Sequence, residues 1–247
     1  MIIDVFLPLS LIFIMFTLGI GLTYSDFTNL FHNPKAFFIG ITNQMVILPI
    51  TAFLIIVLMG ITKEIAVGIM ILASCPGGVT SNIITKLAEG DTALSISYTA
   101  VISLLTIVTL PMVTVLSMQY FMGVEAPPIN LLTLGFTMFF VTAIPVGLGI
   151  LVRSINNNFA DNFEIIAIKI STILFIIIIV FALFSEWQTF INNLPQIGPA
   201  IVLLIVSMLI IGYKTSNWFK MNNQQSLTVA IESGIQNGTV GIAIGNI

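Results

Sequence analysis

One acidic residue, Glu232, lies deep inside an apolar stretch of the chain, Ala230-Ile231-Glu232-Ser233-Gly234-Ile235-Gln236-Asn237-Gly238. A charged side chain at the centre of a bilayer costs from about 3 to more than about 10 kcal/mol. A bound cation, a proton or a basic partner must offset that cost. The nearby segments offer no Lys or Arg as the partner. A cation or a proton is left, and either one points to transport.

Around this acid the apolar segments carry uncharged oxygen donors. Thr80, Ser81 and Asn82 follow Cys75-Pro76-Gly77-Gly78. Ser95 and Thr99 are four residues apart, on one face of a helix. Ser103 and Thr106 roughly extend that row, Asn43 and Gln44 precede an apolar run ending at Pro49, and Gln236 and Asn237 follow the acid. Hydroxyl, amide and carboxylate oxygens, joined by the carbonyls that an interrupted helix leaves unpaired, suit a hard cation. The single histidine, His32, stands in a loop beside Asn33-Pro34, which argues against a transition metal. Each hydroxyl also has a plainer use, since Ser and Thr in membrane helices commonly bond to their own helix. For Ser95 or Thr99 taken singly, that use is the commoner one.

The elements that position these residues must be membrane helices. Apolar residues make up 57% of the 247, charged residues only 7%, and the mean hydropathy is +1.13. A soluble domain carries about 25% charged residues. Seven scattered basic residues make no nucleic-acid surface. The lone Cys75 excludes an internal disulfide. No His-Glu-x-x-His motif and no paired intramembrane carboxylates support a membrane enzyme. Eight segments approach the roughly 20 apolar residues of a span. They run from about Ile3 to Leu22, Ala36 to Met59, Glu64 to Leu87, Thr92 to Tyr120, Ile129 to Val152, Phe163 to Phe184, Gly198 to Tyr213, and Leu227 to the end. Lys35, Lys86, Arg153, Lys169, Lys214 and Lys220 fall toward one side, and only Lys63 toward the other. The positive-inside rule makes the majority side cytoplasmic and puts the N-terminus outside. The chain is expected to stop within or just after its eighth span, one helix short of a cytoplasmic C-terminus.

Two of these segments are expected to break. Pro costs about 3 kcal/mol inside a helix and Gly about 1, so Pro76, Gly77 and Gly78 should interrupt the third. Ser233-Gly234, with Gly238 following, should interrupt the eighth. Interrupted spans in both halves of a chain mark the site of an inverted-repeat secondary transporter. A simple proline kink with small residues for close packing is the alternative.

At these residues the chain resembles the bile acid:sodium symporter family. The resemblance rests on Cys75-Pro76-Gly77-Gly78 through Ser81-Asn82, on Glu89-Gly90-Asp91-Thr92-Ala93-Leu94-Ser95 with Thr99, and on Glu232-x-Gly234-x-Gln236-Asn237. Weaker similarity starts near Phe16-Thr17-Leu18-Gly19 and runs to the last residue. It implies an all-α polytopic protein of the cell (inner) membrane, built of inverted repeats with two crossing interrupted helices. It also implies two sodium ions as coupling ions and no other cofactor. One site would use Ser81, Asn82, Ser95, Thr99 and Glu232. The second would use Gln44, Glu232, Gln236 and main-chain oxygens around Ser233 and Ile235. Val79, Thr80, Asn237 and Gly238 would border a substrate crevice, where Val79 replaces a threonine of a bacterial relative. Panel helices (about 1–24 and 128–185) would move against core helices (about 35–122 and 196–247). The implied function is sodium-coupled symport of an organic anion, bile-acid-like or a small carboxylate. A proton-coupled or uncoupled carrier is the alternative, ahead of a metalloid-anion exporter.

Overall fold

The computed structural model describes residues 2–24, 28, 34–125 and 131–245. His32 lies outside them. Every regular element among the described residues is helical. Composition demands this, because in hydrocarbon each backbone polar group needs a partner, which a helix supplies within its own segment. The elements are α1 (Ile2–Gly21), α2 (Pro34–Leu58), α3 (Lys63–Ala73), α4 (Val79–Leu87), α5 (Thr92–Phe121), α6 (131–155), α7 (Asn157–Ser185), α8 (Trp187–Trp218), α9 (Asn223–Gly234) and α10 (Gly238–Gly245).

Among the described residues, five stretches are long and apolar enough to cross a membrane: α2, α5, Gly135–Ile155 of α6, α7 and α8. The other expected spans are α1, with its apolar stretch Pro8–Gly21, and the pairs α3–α4 and α9–α10, in which no single helix reaches that length. Two helices begin earlier than hydropathy placed them, α7 at Asn157 and α8 at Trp187. Their extra turns are polar and escape a hydropathy window, but backbone bonding does not depend on side-chain polarity. Asn156 caps α7 by accepting from the Phe159 amide at 3.0 Å.

Both α2 and α6 contain a π turn, Asn43–Ile47 and Phe139–Ala143. In each, a proline (Pro49 or Pro145) stands two residues beyond the turn. Proline lacks an N–H and its ring crowds the carbonyl four residues back. A π turn is one way for a helix to absorb that defect, and such turns recur at functional sites.

Helix α1 lies along α6 and α7, α8 along α9, and α3 along α5. At one end of the α1–α6–α7 group, the buried Arg153 donates to Asp161 at 2.8 Å, to Glu164, and to the Ile20 carbonyl. A single guanidinium thus ties three helices together. Between α2 and α5 the fully buried Tyr98 donates its hydroxyl to the Ala36 carbonyl and stacks on Phe37 at 6.2 Å between centroids. Its ring fills the space where Gly40 has no side chain.

Gly40→Val is expected to destabilise the protein by about 1–3 kcal/mol through overpacking. Tyr98→Phe, which keeps the ring and loses one hydrogen bond, should cost less. Thermal unfolding in detergent reads both, and the reverse order would contradict the packing described.

Candidate functional site

Helix α3 ends at Ala73 and helical structure resumes only at Val79, so Pro76, Gly77 and Gly78 form the expected interruption. The second interruption falls at residues 235–237, immediately after Ser233 and Gly234, which stay helical. Gly234 answers to packing: a β-carbon there would come within 2.9 Å of the Leu209 side chain. The backbone turns extended at Ile235 instead, φ −119° and ψ 111°.

The two interruptions meet. The Asn237 amide donates to the Pro76 carbonyl at 2.8 Å. A β-carbon on Gly78 would lie 3.1 Å from Asn237 Nδ2. One on Gly77 would overlap the Glu232 carboxylate and come 2.9 Å from Ser81 Oγ. Gly78 is extended, with φ −159°, a conformation open to any residue. It is closeness that these positions require of their residues.

Glu232 is 2% exposed. Ser95 Oγ lies 2.5 Å from its Oε1, and Thr99 Oγ1 lies 3.3 Å from its Oε2. The same two hydroxyls face Asn82 Oδ1, at 2.7 and 3.3 Å. These four oxygen–oxygen contacts have only the two hydroxyl protons to share, because a carboxylate and an amide oxygen are acceptors. The cluster is short of a proton or a cation. Ser81, fully buried, is committed to the break: its Oγ accepts from the Gly78 amide at 3.0 Å and donates to the Gly78 carbonyl at 2.8 Å.

The motif Glu89-Gly90-Asp91 builds this cluster from below. Asp91 caps α5, accepting from the Leu94 amide at 3.0 Å, and thereby sets the start of the helix that carries Ser95 and Thr99. Thr228 Oγ1 accepts from the Asp91 amide at 2.8 Å, which ties α9 to the same point. Gly90 leaves the room: a β-carbon there would meet Thr85 and Thr228 within 2.9 Å. Thr85, buried and 3.4 Å from Ser95 Oγ, and Thr228 were missed from the sequence. The available signal was spacing, since Thr85 lies four residues after Ser81 and Thr228 four before Glu232.

A second group joins Gln44, Gln236 and Ser233. Gln44 Nε2 donates to Gln236 Oε1 at 3.1 Å, and Gln236 Nε2 donates to the Ser233 carbonyl at 2.9 Å. Gln44 Oε1 is buried and has no partner among the described residues. The Glu232 carboxylate makes its bonds in the first group and none to Gln44 or Gln236; its main-chain carbonyl lies 3.5 Å from Gln236 Nε2. The half-buried Ile235 has its amide bonded to the Ile231 carbonyl at 2.9 Å.

Of the crevice residues, Asn237 and Gly238 are half-buried at the second interruption, and Thr80 is exposed. The Val79 side chain lies outside the described ones; its backbone opens α4. A partly open cleft lies between α1, α5, α6 and the crossing, and is bordered by Pro76 and Asn237. Cys75 is buried with its thiol donating to the Ile71 carbonyl at 3.2 Å.

Gly77→Ala should therefore lower the unfolding midpoint, because its methyl group has to displace the carboxylate or the crossing. Gly68→Ala, whose β-carbon meets nothing within 4 Å, should raise stability by about 0.5–1 kcal/mol as a helix-interior Gly→Ala change. Thermal unfolding of the two variants with equal helix content checks the opposite signs.

Comparison with known proteins places the chain in a family. Residues 8–194 match the model of the sodium bile acid symporter family. The chain is 30% identical over 239 residues to the uncharacterized sodium-dependent transporter YocS of Bacillus subtilis, covering 94% of this chain and 70% of that protein. It is 25% identical to the probable sodium/metabolite cotransporter BASS2, chloroplastic, of Oryza sativa, covering 94% of this chain and 54% of the relative. Identity to the sodium/bile acid cotransporter 4 of Homo sapiens is 27%, over 98% of this chain and 55% of that one. The chain thus spans about half the length of several relatives. These relatives are named as transporters, and none of the three as an enzyme. An all-helical chain with two crossing interrupted helices, matched to the family model over most of its length, belongs to the sodium bile acid symporter family.

Proposed function

We propose that this protein carries an organic anion across the cell (inner) membrane by sodium-coupled symport with alternating access. The observation that carries the reading is the cluster at Glu232, where acceptor oxygens outnumber the protons available to them. A sodium ion supplies the missing positive charge without the hydration shell that a buried site excludes. Ser81, Asn82, Ser95, Thr99 and Glu232 would hold one ion. Gln44, Gln236, Glu232 and the main chain around Ser233 and Ile235 would hold a second, for which Gln44 Oε1 is the free acceptor. Gln236 now spends its amide on the Ser233 carbonyl, so filling the second site requires that side chain to turn.

Two sodium ions around one carboxylate leave a net charge near +1. The N-termini of α4 and α10, at Val79-Thr80 and Asn237-Gly238, add partial positive charge. An anion is then favoured beside the crossing. With the N-terminus outside and eight spans, inward sodium flow gains about 2.3 kcal/mol per charge per 100 mV. The close packing of α1 with α6 and α7 supports their moving together as a panel (about 1–24 and 128–185) against a core (about 35–122 and 196–247). One observation favours proton coupling instead: the 2.5 Å Ser95–Glu232 contact also fits a protonated carboxyl.

The test is stabilisation by sodium at fixed pH and ionic strength, with potassium or choline as the replacement. Sodium at a hundred times its dissociation constant should add about 2.7 kcal/mol, seen as a higher unfolding midpoint. Glu232→Gln should abolish the increment, and Ser95→Ala should weaken the apparent sodium affinity by about tenfold, the size expected for a lost hydrogen bond to a charged group. A midpoint that follows pH and ignores sodium would favour the proton carrier. Sodium-dependent uptake of organic acids into proteoliposomes tests transport itself.

A further inference from the structure

We propose that Thr85 is a positioning residue for sodium at the Glu232 cluster: its hydroxyl takes up the Ser95 proton and so frees a Ser95 lone pair for the ion. The proposal rests on the symport reading and adds to it a residue outside the ligand set.

A hydroxyl that ligates a cation offers a lone pair and has to point its one proton elsewhere. Ser95 Oγ has three oxygens within reach of that proton: Glu232 Oε1 at 2.5 Å, Asn82 Oδ1 at 2.7 Å and Thr85 Oγ1 at 3.4 Å. The first two belong to the proposed sodium site. A proton aimed at either one competes with the ion for the same lone pairs and sets positive charge beside positive charge. Thr85 alone of the three stands outside the ligand set. In the structure the two short contacts claim the proton. Sodium on those same oxygens displaces it, and Thr85 is the acceptor left to receive it.

The surroundings of Thr85 suit this use. The side chain is fully buried. Threonines in membrane helices commonly bond to the carbonyl four residues back, as Thr51 and Thr114 do here at 2.7 and 2.8 Å. Thr85 does not. Ser95 is the one partner of its hydroxyl among the described residues, so its lone pairs are uncommitted. The loop Glu89-Gly90-Asp91 fixes the side chain. The Gly90 amide donates to the Thr85 carbonyl at 2.9 Å, and a β-carbon on Gly90 would lie 2.8 Å from the Thr85 methyl group. The methyl group therefore faces the loop and the hydroxyl faces Ser95. Asp91 of the same loop caps α5 and thereby places Ser95. One loop sets both partners of the contact.

Thermal unfolding in detergent, followed against sodium concentration at fixed pH and ionic strength, tests the proposal. Thr85→Val keeps the shape and removes the acceptor. It should weaken the apparent sodium affinity by about fivefold to tenfold and leave the sodium-free midpoint unchanged, because a long 3.4 Å contact is exchanged for a buried methyl group. Thr85→Ser keeps the acceptor and loses the methyl group against Gly90. It should hold sodium affinity near that of the unmutated protein and lower the sodium-free midpoint. A role in packing alone predicts that Thr85→Ser is the worse variant in both readouts. In a Ser95→Ala background, Thr85→Val should weaken sodium affinity no further, since the proton it would receive is gone. Should Thr85→Val fail to fold, Thr85→Ala takes its place with the same expected loss of affinity. Unchanged affinity in Thr85→Val, a loss in Thr85→Ser as large as that in Thr85→Val, or additive losses in the double variant would overturn the proposal. Absence of sodium stabilisation in the unmutated protein sinks the symport reading and this proposal together, and that outcome is read before any variant is compared.

Discussion

A carboxylate held away from water among neutral oxygens is the constraint on which this structure turns. Interactions between charges grow as the local dielectric falls, so the Glu232 group dominates its surroundings. The features around it serve to bring oxygen atoms toward it. Pro76, Gly77 and Gly78 part α3 from α4 and admit the carboxylate to within a β-carbon's reach of the backbone. Gly90 brings α4 and α9 together, and Asp91 sets the phase of α5 so that Ser95 and Thr99 point inward. The crossing is sealed by a backbone bond, Asn237 to Pro76, which no side-chain change removes directly.

Much of this was legible in the chain. The acid announced itself by standing where charges are expensive, and Pro-Gly-Gly announced the first interruption because both residue types oppose a helix. Four-residue spacing put Ser95 and Thr99 on one face, and the structure turns both to Glu232. The second interruption was read as starting at Ser233-Gly234 and begins at Ile235, because Gly234 is small for the sake of Leu209, a neighbour 25 positions away in sequence. Tertiary packing of that kind leaves no local pattern. The early starts of α7 and α8 escaped for a different reason, since hydropathy sees side chains and helices are made by the backbone. Thr85 and Thr228 were readable by spacing but carry no charge to draw notice. The meeting of Gln44 and Gln236, 192 residues apart, was implied by the family resemblance and by no local spacing.

One helix also reaches both the cluster and the cleft. Ser95, Thr99 and Ser103 lie on a single row of α5, spanning about 12 Å at 1.5 Å per residue. One end of the row is in the cluster around Glu232 and the other borders the cleft.

The distance in sequence between the partners has a consequence for how the chain is made. Ser95 and Glu232 are separated by 137 residues. At 5–20 residues per second, a ribosome takes about 7–27 s to cover that interval. By its end, Asn82, Ser95 and Thr99 have left the ribosome with their eventual acid partner only then made. The early half must be retained by its apolar surface alone, and its polar face has to wait for the late half to insert before it is quenched.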